Sequence, residues 1–378
     1  MYYKVFAEHS ESSTILFRFW KINSENLVIM KAGSKIWREA ASIILVAKTA
    51  FTPTIKPTDF NYKILTLQRS AKSGYMPGSY VFPGGVLCHA DVSTDWIKLY
   101  EDFGFQLDSF DKLSSKKCRP RLYQTENSKE LPKYLSLRIG AIRETFEESG
   151  VLICRSYKIN YKERSARWAS FIEEPELLKW QYKIHDDPYN FIELCRKYEV
   201  YPDVWALKEW SNWATPAVSP AKFDTAFYLT AFQELPPVHA EEKEVQKLEW
   251  ASPTDYLVRN VKEELILGPP QVYEMSRLRN FMDIDELLKF ANERSKEGVE
   301  RYFPTRIKTN GGVCTILPGD DLYSEALDDK MAYMENLPAS NVQNRMFHKS
   351  AYHTEICISN FQPKYNHVIP IPIQSAKL

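Results

Sequence analysis

Glu144, Glu147 and Glu148 stand at i, i+3 and i+4 in the run Arg143-Glu144-Thr145-Phe146-Glu147-Glu148-Ser149-Gly150-Val151. On a helix that spacing puts three carboxylates on one face, about 5–6 Å apart. Three like charges repel one another there, and in a last turn they also oppose the helix macrodipole, whose negative end favours cations. A bound cation removes both penalties. Hard oxygen donors of this kind suit Mg²⁺ or Mn²⁺, which share their coordination with waters and substrate phosphates. The chemistry implied is metal-assisted hydrolysis of a diphosphate; the alternative is a solvated acidic face on an amphipathic helix.

Positioning such acids requires a pinned helix and a stop. Leu135, Ile139, Ile142 and Phe146 recur at a helical period on the opposite face, so the helix can dock on a core while the acids project outward. Gly150 suits the C′ position, and Val151-Leu152-Ile153 reads as a following strand. Upstream, Phe82-Pro83-Gly84-Gly85 reads as a tight turn.

The arrangement resembles the Nudix box, Gly-x5-Glu-x7-Arg-Glu-U-x-Glu-Glu-x-Gly-U with U a bulky aliphatic residue. Arg143, Glu144, Glu147, Glu148, Gly150 and Val151 match, Thr145 replaces the aliphatic U, and Gly85 supplies the leading glycine. Asp91 stands where the family has its first Glu, and 51 residues lie between it and Arg143 where the family has seven. An interrupted box of this kind is similar to the peroxisomal coenzyme A diphosphatase branch of the family. Leu65-Thr66-Leu67-Gln68-Arg69-Ser70, followed by Gly78 and the Gly84-Gly85 turn, resembles the coenzyme A signature of related hydrolases, with Gly74 in place of a second Arg. Trp213-Ala214-Thr215-Pro216, Lys222-Phe223-Asp224-Thr225, Pro269 to Glu274 and Leu317 to Tyr323 look like the same branch.

The resemblance implies an α/β fold: a Nudix-type α/β/α sandwich with a mixed sheet, a long insertion within the box and a C-terminal helical extension. It implies Mg²⁺ or Mn²⁺ held by Glu144 and Glu148 with Glu147 as a third ligand or water partner. Arg143 would orient a box carboxylate, and Arg69, Gly84 and Gly85 would contact substrate. One of Glu241, Glu242 and Glu244 could supply an extra ligand or the base, against a plain charged turn. The implied reaction converts coenzyme A or its acyl esters to 3′,5′-ADP and (acyl-)4′-phosphopantetheine. Hydrolysis of ADP-ribose, a dinucleotide or an RNA cap is one alternative, and a non-catalytic nucleotide-binding module is another.

Ala376-Lys377-Leu378 is a close variant of the Ser-Lys-Leu peroxisomal address, so a peroxisomal import receptor is an expected partner. Pro370 to Gln374 should leave it accessible as an extended, poorly packed stretch. With 49 basic and 49 acidic residues the chain has no net field to hold nucleic acid or an anionic membrane, and no apolar run reaches the length of a span. The basic cluster Lys116 to Arg121 reads as a solvated loop. Six cysteines without a Cys-x-x-Cys pair or zinc-like His spacing read as reduced, mostly buried thiols. His239, Cys88 and His89 read as structural or incidental.

Residues 1–37 form an N-terminal extension, 38–262 the Nudix domain, 263–361 a C-terminal extension packed on it, and 362–378 an extended tail. Within the domain, Ala41 to Val46, Tyr62 to Leu67, Phe223 to Phe232 and Lys247 to Trp250 are strand-like, with a Pro- and Thr-rich loop at Phe51 to Pro57. An insertion over about 92–134 carries a short helix around Asp95 to Phe103. A helical pattern over about 161–210 would cap the cleft, and Ser252-Pro253 starts a further helix.

Overall fold

In the computed structural model the described residues are 37–49, 59–113, 119–125, 127, 129–156, 168–241, 243–325, 330–350 and 354–373. The expectations for the N-terminal extension, the Phe51–Pro57 loop, Lys116 to Cys118, residues 161–167, Glu242 and Ala376-Lys377-Leu378 fall outside them.

The strands are β1 (Arg38–Lys48), β2 (Tyr62–Arg69), β3 (Ser79–Val81), β4 (Gly84–Val86), β5 (Cys154–Ser156), β6 (Val200–Pro202), β7 (Lys208–Ala214), β8 (Phe223–Phe232), β9 (Val245–Ala251), β10 (Ile266–Leu267) and β11 (Arg301–Tyr302). The helices are α1 (Asp95–Asp102), α2 (Lys133–Ser149), α3 (Leu177–Asp186), α4 (Asn190–Lys197), α5 (Pro253–Val261), α6 (Pro269–Leu278) and α7 (Ile284–Arg294). A mixed sheet runs in the order β10-β3-β2-β1-β8-β7-β11, with β4 added to β1 and β9 to β2. Its centre is the long parallel pair β1·β8, in register from Arg38↔Phe223 to Ala47↔Phe232.

β1 is buried from Glu39 to Ala47 because both faces of the sheet are covered. Its side chains alternate between two cores. Ala41, Ile43, Leu45 and Ala47 pack with Leu135, Ile139, Ile142 and Phe146 of α2. Ile44 and Val46 pack on the other face with Val272 and Met275 of α6 and Leu287 of α7. This is the expected layered sandwich. Helix α5 begins with a capping box between Ser252 and Asp255 and Pro253 in its first turn, as the sequence predicts.

The insertion, where described, is built into the first core. Trp96, Leu99, Tyr100 and Phe110 are buried among α2 and α4 residues, and the Tyr100 hydroxyl donates to the Pro202 carbonyl at 2.8 Å. Three sequence expectations need correction. Val151-Leu152-Ile153 makes only a single bridge, Leu152↔Ile172, and the strand begins at Cys154, where β6 first offers a ladder. The helical stretch expected to reach residue 210 ends with α4; Trp210 lies on β7, whose pairing with β8 overrides the local pattern. The tail through Ile373 is anchored: the Ile371 N–H donates to the Ser276 carbonyl at 2.8 Å, and its carbonyl accepts from Arg279 at 2.6 Å.

Beyond α7 lies a second sheet that the periodicity did not reveal. Its strands β12 (Thr305–Thr309), β13 (Gly312–Ile316), β14 (Ala332–Tyr333), β15 (Gln343–His348) and β16 (Thr354–Ser359) run in the order β14-β12-β13-β15-β16. The Tyr273 hydroxyl of α6 donates to Asn344 of β15 at 2.8 Å, tying the two parts together.

Candidate active site

Helix α2 carries the acids at its C-terminal end and stops where expected: Gly150 adopts φ 73° and its N–H donates to the Phe146 carbonyl at 2.8 Å. The acids do not project into open solvent. Glu147 and Glu148 are each 7 % exposed, because the β4 turn and α3 close over them. The Gly84 N–H donates to Glu148 Oε2 at 2.8 Å, and Gln181 of α3 donates to the Glu147 carbonyl at 2.8 Å.

The two glycines have different reasons to be glycine. At Gly84, φ is +144° and a Cβ would sit 2.3 Å from the Ala41 carbonyl oxygen. At Gly85 the Cβ would sit 2.3 Å from Glu144 Oε2, so the missing side chain makes room for the carboxylate itself.

Arg143 is the hub. It donates to Asp91 through Nε and Nη2, both at 2.8 Å, reaches Glu147 Oε1 at 2.5 Å and Glu144 Oε1 at 2.9 Å, and touches the Val86 carbonyl at 3.3 Å. Asp91 is fully buried and also accepts the Cys88 N–H at 2.9 Å. The 51-residue interruption therefore closes in space, and Asp91 does not itself line the cleft but bonds to Arg143, which does. Burial works against the Arg143 charge, but Asp91 and Glu144 outweigh it and push its pKa up.

The acids are under electrostatic stress. Burial raises the pKa of Glu144, Glu147 and Glu148, that of Glu147 to about 8. The charge of Glu144 adds to the rise at both Glu147 and Glu148, while Arg143 partly offsets it at Glu144 and Glu147. Among the described residues no three His, Cys, Asp or Glu side chains form a metal-coordinating cluster. The donor chemistry nevertheless fits a hard divalent cation: three desolvated carboxylates on one helix face, each with an oxygen left over from its hydrogen bond or ion pair.

The 239–244 loop is tied to the end of α2, with the His239 N–H donating to the Ser149 carbonyl at 2.8 Å. Its acids separate by role. Glu241 is buried and its Oε2 accepts the N–H groups of Lys243 and Glu244, at 2.9 and 2.8 Å, which shapes the turn. Glu244 lines the cleft, and its charge contributes to the raised pKa of both Glu144 and Glu148. His239 enters through its backbone, as a structural residue.

The cleft in front of the acids has a volume of about 810 Å³ and is lined by Glu144, Glu147 and Glu148 at one side and by Arg38, Arg69 and Arg306 elsewhere. Arg69 stands at the end of β2, held by Ser73 Oγ at 2.7 Å and the Tyr75 carbonyl at 3.1 Å. Sequence reasoning missed Arg38, Tyr75, His185 and Arg306. His185 lies with Nδ1 3.9 Å from Glu147 Oε2. None belongs to a local pattern; each reaches the cleft only through packing of its element. Of the five described cysteines Cys154, Cys195 and Cys314 are buried, and all five are free. No described helix is long and apolar enough to cross a membrane.

A mixed sheet between helix layers, with an Arg-Glu-x-x-Glu-Glu helix end facing a Gly-Gly turn, defines a Nudix hydrolase. The chain belongs to the NUDT19 branch of that family: residues 37–278 match the NUDT19 Nudix domain. It is 35% identical over 373 residues to acyl-coenzyme A diphosphatase NUDT19 of Xenopus laevis, covering 90% of this chain and 97% of that one. It is 36% identical to the Homo sapiens protein of the same name, covering 90% and 96%. Among solved structures, a Nudix hydrolase from Alicyclobacillus acidocaldarius superposes with a TM-score of 0.50 at 20% identity, over 68% of this chain and 97% of that one. Hydrolases of this family work with divalent metal ions, in keeping with the acids on α2.

Proposed function

We propose that this protein hydrolyses the diphosphate of coenzyme A and its acyl esters, releasing 3′,5′-ADP and (acyl-)4′-phosphopantetheine, with Mg²⁺ or Mn²⁺. The observation that carries the reading is the set of three carboxylates on α2, two of them buried, packed against the Gly84-Gly85 turn and lining a cleft that also presents arginines. The names of the relatives supply the substrate class.

Glu144 and Glu148, with Glu147, would hold the ion, which would neutralise charge on the diphosphate and lower the pKa of an attacking water. Arg143 positions Glu144 and Glu147 by charge-assisted bonds and is itself fixed by Asp91. Glu244 is the loop acid that faces the same space, and it takes the proton as water attacks phosphorus. Arg69, with the Gly84 and Gly85 backbone, borders the diphosphate position. The C-terminal Ala376-Lys377-Leu378 directs the chain to peroxisomes through the import receptor; a fluorescent fusion ending at Ser375 that stayed peroxisomal would refute this.

The test is product analysis with coenzyme A in Mg²⁺ and then in Mn²⁺, beside Glu148→Gln. The expected result is 3′,5′-ADP from the native protein and a loss of at least about 100-fold in the variant, the scale of removing one preorganised electrostatic group. Hydrolysis of ADP-ribose or a capped RNA but not of coenzyme A would overturn the substrate. Unimpaired Glu148→Gln would overturn the metal assignment.

A further inference from the structure

The large buried arginines of this protein each meet a carboxylate or a carbonyl. Arg143 meets Asp91, Arg155 meets Asp203 at 2.6 Å, Arg345 meets Asp320 at 2.6 Å and Arg277 meets Glu274 at 3.2 Å. Arg294, without a carboxylate, donates to the carbonyls of Glu209 and Gly298. Arg306 departs from the pattern. It lies on β12 opposite Thr315, and both residues line the cleft. Its Nε is buried with no hydrogen-bond partner, and burial lowers its pKa. Among the described residues no carboxylate or carbonyl meets its guanidinium. Leaving such a group desolvated and unmatched is costly unless something else supplies the acceptor.

The surroundings indicate what that acceptor is. The charges of Arg306 and Arg69 both act on the phenol of Tyr75, which also lines the cleft. Tyr75 packs on Phe223 with ring centroids 5.5 Å apart, and Arg38 lies 4.5 Å over the same Phe223 ring. The cleft thus gathers three guanidiniums, a phenol and an aromatic face, in addition to the acidic end where a metal and a scissile diphosphate would sit. The planar fork of Arg matches a phosphate oxygen pair, and a phosphomonoester dianion is the anion that best repays desolvating it.

We propose that Arg306, supplied by the C-terminal sheet outside the matched residues 37–278, forms with Tyr75 a second phosphate subsite that takes a phosphomonoester of the substrate remote from the scissile diphosphate. It deepens, and rests on, the coenzyme A reading, in which the 3′-phosphate is that group. The C-terminal extension is then part of the specificity apparatus and not merely a brace.

The experiment compares coenzyme A with 3′-dephospho-coenzyme A in the native protein, Arg306→Ala and Arg306→Lys. The native protein should favour coenzyme A in kcat/KM, mostly through KM, and Arg306→Ala should reduce that ratio by about 10- to 100-fold, the scale of a charge-assisted hydrogen bond. Arg306→Lys should recover part of the ratio, because a point charge replaces the fork; a general loss of structure would lower both substrates together and would not be rescued in ratio. A ratio near one in the native protein, or one unchanged in both variants, overturns the subsite. Calorimetric binding of 3′,5′-ADP against 5′-AMP decides the matter without turnover. If the native protein hydrolyses no coenzyme A yet prefers 3′,5′-ADP, and Arg306→Ala loses that preference, the substrate reading falls and the subsite stands. Equal binding of the two nucleotides by the native protein, or a preference retained in Arg306→Ala, overturns the subsite.

Discussion

Asp91→Asn tests whether the interrupted box is held together by one buried pair. The Asp91 carboxylate accepts Arg143 Nε on Oδ1 and Arg143 Nη2 on Oδ2, and Oδ2 also accepts the Cys88 N–H. An amide cannot accept at both positions. If its NH₂ replaces Oδ2 it faces two donors; if it replaces Oδ1 it faces one, so the second orientation prevails and still sets donor against donor. Removing one partner of a buried ion pair costs about 3–5 kcal/mol. The lower end, about 3 kcal/mol, applies here because Glu144 at 2.9 Å and Glu147 at 2.5 Å still face the guanidinium. Urea unfolding followed by tryptophan fluorescence, in chelator, measures the loss. Arg143→Met gives the other side of a double-mutant cycle, in which the combined variant should lose about 2 kcal/mol less than the sum of the singles. Additive losses, or less than about 1 kcal/mol for Asp91→Asn, would show that Asp91 is not what fixes Arg143.

The two turn glycines should separate stability from activity. Gly84→Ala meets the Ala41 backbone and should cost several kcal/mol in unfolding measurements, on the order of a strained core substitution. Gly85→Ala meets first the Glu144 carboxylate, the end of a side chain, and should lower kcat about 100-fold or more with a far smaller loss of stability; the reverse ranking would refute the assignment. Glu147 sets a pH dependence in metal-free protein. Its folded pKa is raised to about 8, so its contribution is fully present below its ordinary carboxylate pKa of 4.5 and is lost as pH rises through about 8, at about 1.4 kcal/mol per unit over that window. Melting in chelator between pH 5 and 9 should show the decline, and Glu147→Gln should make it shallower, with Glu144 and Glu148 supplying the remainder; equal slopes in both proteins would refute it.

The acids and their helix were legible because their cause is local. The i, i+3, i+4 spacing, the apolar stripe at Leu135, Ile139, Ile142 and Phe146, and Gly150 at the end are set by helix geometry, and the structure keeps each. Strands β1 and β8 were legible for a similar reason, since continuous apolar runs survive only where both faces are covered. Val151 to Ile153 and Trp210 were misread because a ladder needs a neighbour, and periodicity does not reveal where that neighbour lies.

The residue types and local spacing by themselves determined the site's chemistry: three carboxylates on one helix face, an arginine among them, and a glycine turn before them. Tertiary structure decided their state. It buried the acids, brought Asp91 across the interruption to Arg143, turned Glu244 but not Glu241 toward the cleft, and carried Arg306 there from a separate sheet. Desolvation and long-range contact are properties of packed elements, and no local pattern encodes them.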